Sequence, residues 1–530
     1  MGRLAGAGYN AASAGGRYLA LRSSQDPPSV NAPERARPSL RRIAPVARYV
    51  SVLAAAGGPW LSIRAAAQAA DPPSPPPAEA SPERPEEDAE PSFPAALSID
   101  IRARYYRVHN LYDKNNKNDD ELNLGTERIR VRVEGSPVEG VTVRAGGFQV
   151  HSIGVETDVV DWPSVRDEQD RPFEIDRAHV EWRPTGLSAL ALTAGRQDIV
   201  LGNGFLVGDG VRIRDLNNLL GYLEDNRQDF DAVRVDWRED GWALAALGAR
   251  APDVEGGMDS VRDLYLAALD AEAELAAGQR AGLTLAYLRD ERPRADLHGE
   301  VLGFPFTSPL TPWTADDFTA WTFAAALRAR GPIAGPLGYS LEGVWQIGRS
   351  PNGANDNTLA PAMVPRRAWG ADARLVAFLH PERSHLVQAR HVWLSGDRPG
   401  EGDNQFDPMF ENQLLGALFN AQTNIQAWNV GWLLTQVEDW RFGLDLWRFR
   451  FDRSYYLVLP YGTGRNGYRD AGVEIDVQAA CRWSAHWETE LSAGVLWPGC
   501  AWMPDNNNPL GFHTSDDLVW GIRVTLLFLF

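Results

Sequence analysis

The sequence predicts an all-β protein, a transmembrane antiparallel β-barrel of about 18 strands that follows a disordered N-terminal region. Three observations lead to this prediction. From Leu97 onward, apolar and polar residues alternate with a period of two. The connections between the alternating segments are short and long in turn, which a soluble β-sandwich has no reason to show. Past the N-terminal region, no apolar run is long enough for a spanning helix, including the run that ends the chain.

Residues 1–96 are predicted to lie outside the barrel. In residues 1–70, an N-terminal extension and a signal peptide, the arginines of RPSLRRIAPVARYV precede a short apolar stretch and the triplet Ala-Gln-Ala. This layout is typical of a secretory signal with cleavage near Ala69/Ala70. Residues 71–96 are rich in Pro and Glu and cannot bury a core, so they are predicted to be a disordered linker. The barrel is predicted to span residues 97–530.

The alternation defines the strands one after another. In the segment ERIRVRVEG, three β-branched apolar residues share one face, and Arg128, Arg130 and Arg132 share the other. Strict alternation of this kind is the signal of a strand with two different faces. The predicted strands are residues 97–108, 123–135, 140–151, 173–183, 188–197, 229–238, 241–250, 263–274, 280–289, 317–330, 337–348, 367–379, 384–395, 421–434, 439–452, 470–482, 486–497 and 517–530.

The connections indicate a membrane barrel. Tight links such as REDG and GPIAG alternate with long polar links such as NLYDKNNKNDD. Outer-membrane barrels have this arrangement, with short periplasmic turns and longer extracellular loops. A closed barrel is also the β structure that satisfies every backbone group in lipid. Aromatic residues near the strand ends are predicted to form the interfacial girdles.

The charged faces are predicted to line the lumen, because an arginine on the lipid face at the bilayer midplane costs about 2–4 kcal/mol. Two interpretations of these arginines remain open. They can be part of a solvated wall stiffened by cross-strand pairs with carboxylates, or they can offer a positive path to an anionic solute. The predicted pore-lining arginines on these faces are Arg102, Arg104, Arg128, Arg130, Arg132, Arg144, Arg177, Arg234, Arg374 and Arg390.

The composition and motifs argue against several other functions. The formal net charge is -18 and no segment carries a dominant basic stripe, so no nucleic-acid partner is expected. No G-x-S-x-G, H-E-x-x-H or P-loop motif occurs, and Glu488 and Glu490 are better explained as lumen lining than as a catalytic pair. The chain is therefore predicted not to be an enzyme and to need neither a metal nor a cofactor.

The segment TAGRQDIVLGNGFLVGDG, followed by RQDFDAVRVDW, resembles the alginate-export family of Gram-negative outer-membrane proteins. The residues that carry the resemblance are Gly195, Arg196, Gln197, Ile199, Gly202, Leu206, Val207, Gly208, Phe230, Asp231, Val233 and Arg234. The resemblance implies an eighteen-stranded barrel and passive export of an anionic uronate polymer through an arginine-lined constriction. It adds Arg196 to the predicted pore-lining residues and supports Arg234. Strict alternation places Arg196 on the lipid face with Leu190 and Leu192, and only a bulge at Gly195 would turn it inward.

The sequence thus favours a passive outer-membrane channel that exports an anionic, alginate-like polysaccharide or conducts anionic solutes. The alternatives are a general or small-solute porin and a structural barrel that sheaths a periplasmic redox or secretion partner. The expected partners are outer-membrane lipid, the transported solute, a periplasmic export partner and the barrel-assembly machinery. Phe528 and Phe530, on the predicted closing strand, resemble the terminal aromatic signal that this machinery reads.

Overall fold

The computed structural model describes residues 95–110, 122–157, 171–208, 230–251, 264–276, 278–290, 319–351, 363–380, 385–396, 403–407, 409, 415–419, 423–437, 439–453, 456–459, 462–465, 468–502 and 517–530. The predicted N-terminal extension, the signal peptide and the linker up to residue 94 lie outside these residues. The first strand begins at Ala95, close to the predicted start of the barrel.

The described part of the chain is almost entirely β structure. The strands are β1 (Ala95–His109), β2 (Leu122–Val138), β3 (Val141–Thr157), β4 (Arg171–Trp182), β5 (Leu190–Gln197), β6 (Phe230–Glu239), β7 (Trp242–Ala251), β8 (Leu264–Ala276), β9 (Gln279–Asp290), β10 (Ala320–Ala334), β11 (Leu337–Pro351), β12 (Met363–His380), β13 (His385–Leu394), β14 (Ile425–Val437), β15 (Trp440–Phe451), β16 (Tyr456–Leu459), β17 (Gly462–Arg465), β18 (Asp470–Ser484), β19 (Trp487–Pro498) and β20 (Val519–Leu529). A short 3-10 helix, Cys500–Trp502, follows β19. No helix in the described ranges is long and apolar enough to cross a membrane.

Eighteen of these strands form one closed antiparallel sheet. Each strand pairs with the next along the chain, except that β15 pairs with β18 because β16 and β17 form a separate hairpin. The ring closes where β20 pairs with β1: the Phe530 amide donates to the Ile99 carbonyl (2.9 Å), and the Ile99 amide donates to the Phe530 carbonyl (3.0 Å). Closure leaves the sheet without an open edge. The predicted barrel and its strand number are confirmed.

The connections divide the barrel into two rims. At the short-turn rim, neighbouring strands are joined by turns such as Glu139–Gly140 and Asp240–Gly241. At the long-loop rim, the connections are longer, and the one between β5 and β6 runs from residue 198 to residue 229. The predicted alternation of short and long connections is therefore present. The β16–β17 hairpin was not predicted.

The two faces of the wall have opposite chemistry. On β18, Glu474, Asp476 and Gln478 point inward and are at most 3% exposed, whereas Val477 between them is 46% exposed on the outside. Large apolar side chains such as Leu327 are exposed all around the exterior. In a soluble protein apolar side chains are buried and polar ones exposed, whereas here the inner face is polar and the outer face apolar. A barrel wall between lipid and a polar lumen requires this arrangement.

Candidate functional site in the barrel lumen

The connection after β5 folds into the lumen. Its described part, residues 198–208, is named here the first inward loop; Ile199 and Val207 within it are fully buried. The Asn203 amide donates to the Ser340 hydroxyl of β11 at 3.3 Å. Gly202, at a φ of +59°, lies so close to the Arg328 guanidinium of β10 that a Cβ would be 2.9 Å from its Nη1. The loop therefore reaches from β5 to the wall formed by β10 and β11.

The connection between β13 and β14 also enters the lumen. Its described residues within 403–419 are named the second inward loop. Near its start, Asp403 and Asp407 accept bonds from Arg366 of β12, the first of them at 2.9 Å. The Gln346 side chain on β11 donates to the Asp407 carbonyl at 2.6 Å and accepts from its amide at 3.0 Å. These contacts fix the first part of the loop to β11 and β12.

The second inward loop ends against a buried carboxylate on another part of the wall. Glu474 of β18 is 0% exposed and accepts backbone N–H bonds from Ala417, from Leu418 (2.7 Å) and from Phe419 (2.9 Å). Leu418 also packs over Gly521 of β20. Three consecutive donors converging on one carboxylate hold this part of the loop in a defined conformation.

The two inward loops touch each other inside the barrel. The rings of Phe205 and Phe406 are 5.8 Å apart between centroids and tilted by 37°. Both side chains are at most 3% exposed. The loops therefore form a joint constriction of the lumen, attached to the wall through Arg328, Arg366 and Glu474.

The wall formed by β1–β4 is the basic sector of the lumen. Arg128 donates to Asp100 at 2.6 Å, and Arg130 and Arg132 approach the same Asp176 oxygen at 3.1 and 3.3 Å. Among the described side chains, arginines outnumber acidic residues on these inward faces. The arginines are Arg102, Arg104, Arg128, Arg130, Arg132, Arg144 and Arg177, and the acidic residues are Asp100, Glu134, Glu174, Asp176 and Glu181.

A cavity of about 610 Å³ opens in this sector at the short-turn rim. Arg132, Arg144 and Arg177 line it together with Glu134. Arg144 bridges Glu134 (2.9 Å) and Glu181 (3.1 Å). Arg177 pairs with Asp198, the first residue of the first inward loop. One arginine that lines the cavity, Arg177, therefore also contacts the first inward loop.

The other predicted arginines are also held by neighbours. Arg104 donates to the Tyr106 hydroxyl at 3.3 Å, and Arg102 is 4% exposed in register with Arg128. The last three pair with carboxylates on their own or adjacent strands: Arg234 with Asp236 at 2.7 Å, Arg374 with Asp372 at 2.7 Å, and Arg390 with Asp372 at 2.9 Å. The structure brings the β1–β4 arginines together, but Arg234, Arg374 and Arg390 lie in other sectors.

Arg196 does not line the pore, and its inclusion among the pore-lining residues is wrong. The β5–β6 pairing runs without a register shift, so Arg196 stays on the outward row opposite Asp231. Its guanidinium binds both carboxylate oxygens of Asp231 at 2.9 and 3.1 Å and the Ile175 carbonyl at 3.1 Å. Gly195 has a φ of +116°, and a Cβ at this position would collide with the Ala178 carbonyl oxygen of β4. Glycine adopts this conformation without strain, and it does not change the register of the strand.

Arg328 and Arg366 are inward-facing arginines in contact with the inward loops, and they were not among the predicted residues. Arg328 is 5% exposed and binds Asp270 at 2.6 and 2.9 Å and the Thr284 hydroxyl at 2.8 Å. Alternation along β10 could have revealed it, because Thr322, two alanines and Arg328 share the inward face. The inward loops show no comparable alternation, although the residues of the family resemblance include part of the first of them.

A second sector of the lumen is acidic. On β15, β18 and β19, the inward faces carry Asp445, Glu474, Asp476, Glu488 and Glu490. Asp445 and Asp476 stand directly opposite each other in register, and the Asn429 amide donates to Asp445 at 2.9 Å. The charges in the lumen are therefore separated into a basic and an acidic sector.

The C-terminal aromatics lie on the outside of the closing strand. Phe528 stacks near Trp487 with 6.1 Å between ring centroids, and Phe530 is 66% exposed at the short-turn rim. His486 lies against Phe530 and contacts the Leu529 carbonyl through Nδ1 at 2.8 Å. The role of these aromatics in barrel assembly stays a prediction.

The chain matches a known protein family in sequence and is similar to several solved porin structures. The sequence model of the Alginate export family matches residues 99–508. No curated protein matches the chain in sequence. Among solved structures, a BenF-like porin from Pseudomonas fluorescens Pf-5 superposes with a TM-score of 0.49 at 11% identity over 82% of this chain and 98% of that one. Pseudomonas aeruginosa OccK2 (OpdF) in complex with glucuronate gives 0.48 at 13% identity over 82% and 97%. Pseudomonas aeruginosa OprD gives 0.46 at 11% over 82% and 95%.

Proposed function

Because the chain belongs to the alginate-export family and forms a channel-type barrel of the bacterial outer membrane, we propose that it passively conducts anionic solutes. The solutes proposed are a uronate-rich, alginate-like polysaccharide or smaller carboxylates, and the path is the basic sector of β1–β4. The observation that carries the proposal is the clustering of inward-facing arginines on these four strands, beside the constriction.

The chemistry of the basic sector supports this choice of solute. A guanidinium group offers two parallel N–H donors that match a carboxylate, and rings of arginine in a pore favour anions. Arg132 retains 26% of its side-chain exposure although it is paired with Asp176. A passing carboxylate can therefore reach it without dismantling the buried pair of Arg130.

The cavity at the short-turn rim supports entry from the periplasmic side. Arg144 is 31% exposed and its partner Glu134 is 56% exposed, so solvent screens this pair and a solute carboxylate can replace Glu134 at modest cost. A periplasmic partner that delivers a polymer would dock at the same rim. The proposal also includes the barrel-assembly machinery as a partner, which would bind Phe528 and Phe530 during folding.

The test is the ion selectivity of the purified barrel in a planar bilayer, measured as the reversal potential in a salt gradient. We expect anion selectivity, and we expect Arg132→Gln to lower the anion-to-cation permeability ratio by about fivefold. One unit charge within about 8 Å of the path is worth about 1 kcal/mol at an effective dielectric constant of about 40. Polyuronate should block the wild-type current.

The matched control is Arg196→Gln, which removes the same charge from the outside of the wall. It should leave the reversal potential unchanged. Cation selectivity, or equal effects of the two variants, would refute the anionic path. A barrel that carries no current would instead favour the structural sheath, and unselective flux of neutral sugars would favour a general porin.

A further inference from the structure

We propose that a collar of arginine and aromatic side chains on the outside of the long-loop rim binds the phosphate groups of a phosphorylated glycolipid in the outer leaflet. The collar consists of Arg250, Tyr265, Arg289, Trp321 and Arg349. This inference concerns the lipid-facing surface and is independent of the proposed solute.

The five residues form one continuous row across five strands. The pairing register joins Arg250 to Tyr265, Tyr265 to Arg289, Arg289 to Trp321, and Trp321 to Arg349. Arginine and aromatic residues alternate from β7 to β11. At the β7 end the row continues to Asp231, which Arg196 binds. With strands about 4.8 Å apart, successive arginines are about 10 Å apart.

The collar faces outward at the level where the apolar surface ends. Arg250, Arg289 and Arg349 are all exposed and lie within two residues of the long-loop ends of their strands. On the same outward rows, two positions nearer the short-turn rim, Tyr287 and Ile347 continue the apolar surface. Charges placed there meet lipid headgroups rather than acyl chains.

The opposite rim of the same strands provides an internal comparison. There the outward row runs through Trp242, Ala273, Ala281, Ala329 and Leu341, in continuous register. None of these residues is charged. The basic row is therefore specific to the long-loop rim, which in such barrels faces the outer leaflet.

The chemistry of the collar fits a phosphate-bearing headgroup. Guanidinium groups bind phosphate oxygens in a bidentate manner, and basic residues near an anionic membrane surface are attracted to it. Tyr265 is 42% exposed, and Trp321 stacks near Tyr287 with 6.4 Å between ring centroids. Amphipathic rings at this level anchor a barrel among headgroups. A row of separated charges also suits a lipid with more than one phosphate.

The test uses the full-length barrel in a nonionic detergent, titrated with lipopolysaccharide or with its dephosphorylated form and followed by native mass spectrometry. The wild type should bind the phosphorylated lipid more tightly. The triple variant R250Q/R289Q/R349Q should bind it about a hundredfold more weakly, which is about fivefold for each arginine. Raising the ionic strength should weaken wild-type binding, because exposed charges are screened. Inorganic phosphate alone should not displace the lipid.

The matched control is R107Q/R448Q/R450Q, which removes three exposed outward arginines from β1 and β15. It should keep most of the affinity. Each variant is confirmed as a folded barrel when its electrophoretic mobility without heating matches that of the unheated wild type. Equal affinity of the wild type and the collar variant would overturn the proposal. So would equal losses in the two triple variants, or equal binding of the dephosphorylated lipid.

Discussion

Glu474→Gln should release the second inward loop from the wall. In the wild type this buried carboxylate accepts three consecutive backbone N–H bonds, from Ala417, Leu418 and Phe419. The amide of glutamine keeps the shape of the side chain but retains only one oxygen acceptor. Its NH₂ group would face a backbone N–H that a carboxylate oxygen accepts in the wild type.

The expected size of the effect follows from the number of bonds affected. A buried donor left unsatisfied costs about 1–3 kcal/mol, and bonds to a charged acceptor are stronger than bonds to a neutral one. Docking of the loop should therefore weaken by about 2 kcal/mol. This corresponds to a rise of about thirtyfold in the ratio of undocked to docked loop.

Single-channel recording in a planar bilayer is the assay. Glu474→Gln should increase the frequency of high-conductance states relative to the wild type. Glu488→Gln is the matched control, because Glu488 is also an inward-facing glutamate but pairs with Arg441 at the short-turn rim. Conductance and gating of Glu474→Gln that are indistinguishable from the wild type would refute the idea that this bond restricts the lumen.

Arg328→Met should lower the free energy of unfolding by about 3–5 kcal/mol, because it leaves the Asp270 carboxylate without its bidentate partner. Arg330→Met changes a side chain that is 42% exposed, so it should lower the free energy of unfolding by less than about 1 kcal/mol. Equal melting temperatures of the two variants in the heat-modifiability assay would contradict this difference. On intact cells a membrane-impermeant maleimide should label Cys500, which follows β19 at the long-loop rim, and not Cys481, which is 3% exposed. Burial, reinforced by a nearby aspartate, raises the pKa of the Cys500 thiol, so labelling should be slow at pH 7 and accelerate as the pH rises above the usual thiol range. Labelling that requires a permeabilised outer membrane would reverse the assigned orientation.

The barrel could be predicted from sequence because lipid imposes a strict local rule. Every residue of a spanning strand faces either lipid or the lumen, so alternation records the fold directly. Arg196 shows the strength of this rule. The family resemblance suggested the lumen, but alternation placed Arg196 with Leu190 and Leu192, and the unshifted register keeps it outside. The short Gly-containing β17 strand and its partner carry too little alternation to stand out.

The family resemblance implied a constriction, but the contacts that form it could not be predicted, because they join distant segments without a local pattern. Ile199 belongs to the motif of the family resemblance, but neither its spacing nor that of Phe205 indicates which surfaces bury these side chains in the folded barrel. Glu474 lies on the inward face of β18, but its partners in the loop are backbone N–H groups, which any residue type except proline supplies. Side-chain identity therefore contained no information about that contact.

The contact between Phe205 and Phe406 has a consequence for how the channel opens. Each inward loop is braced by the other, so displacement of one removes part of the packing that keeps the other in place. Two elements coupled in this way favour joint movement over independent movement. The permeability of a single barrel should therefore switch between two discrete levels, and intermediate levels should become frequent only when the aromatic contact is removed.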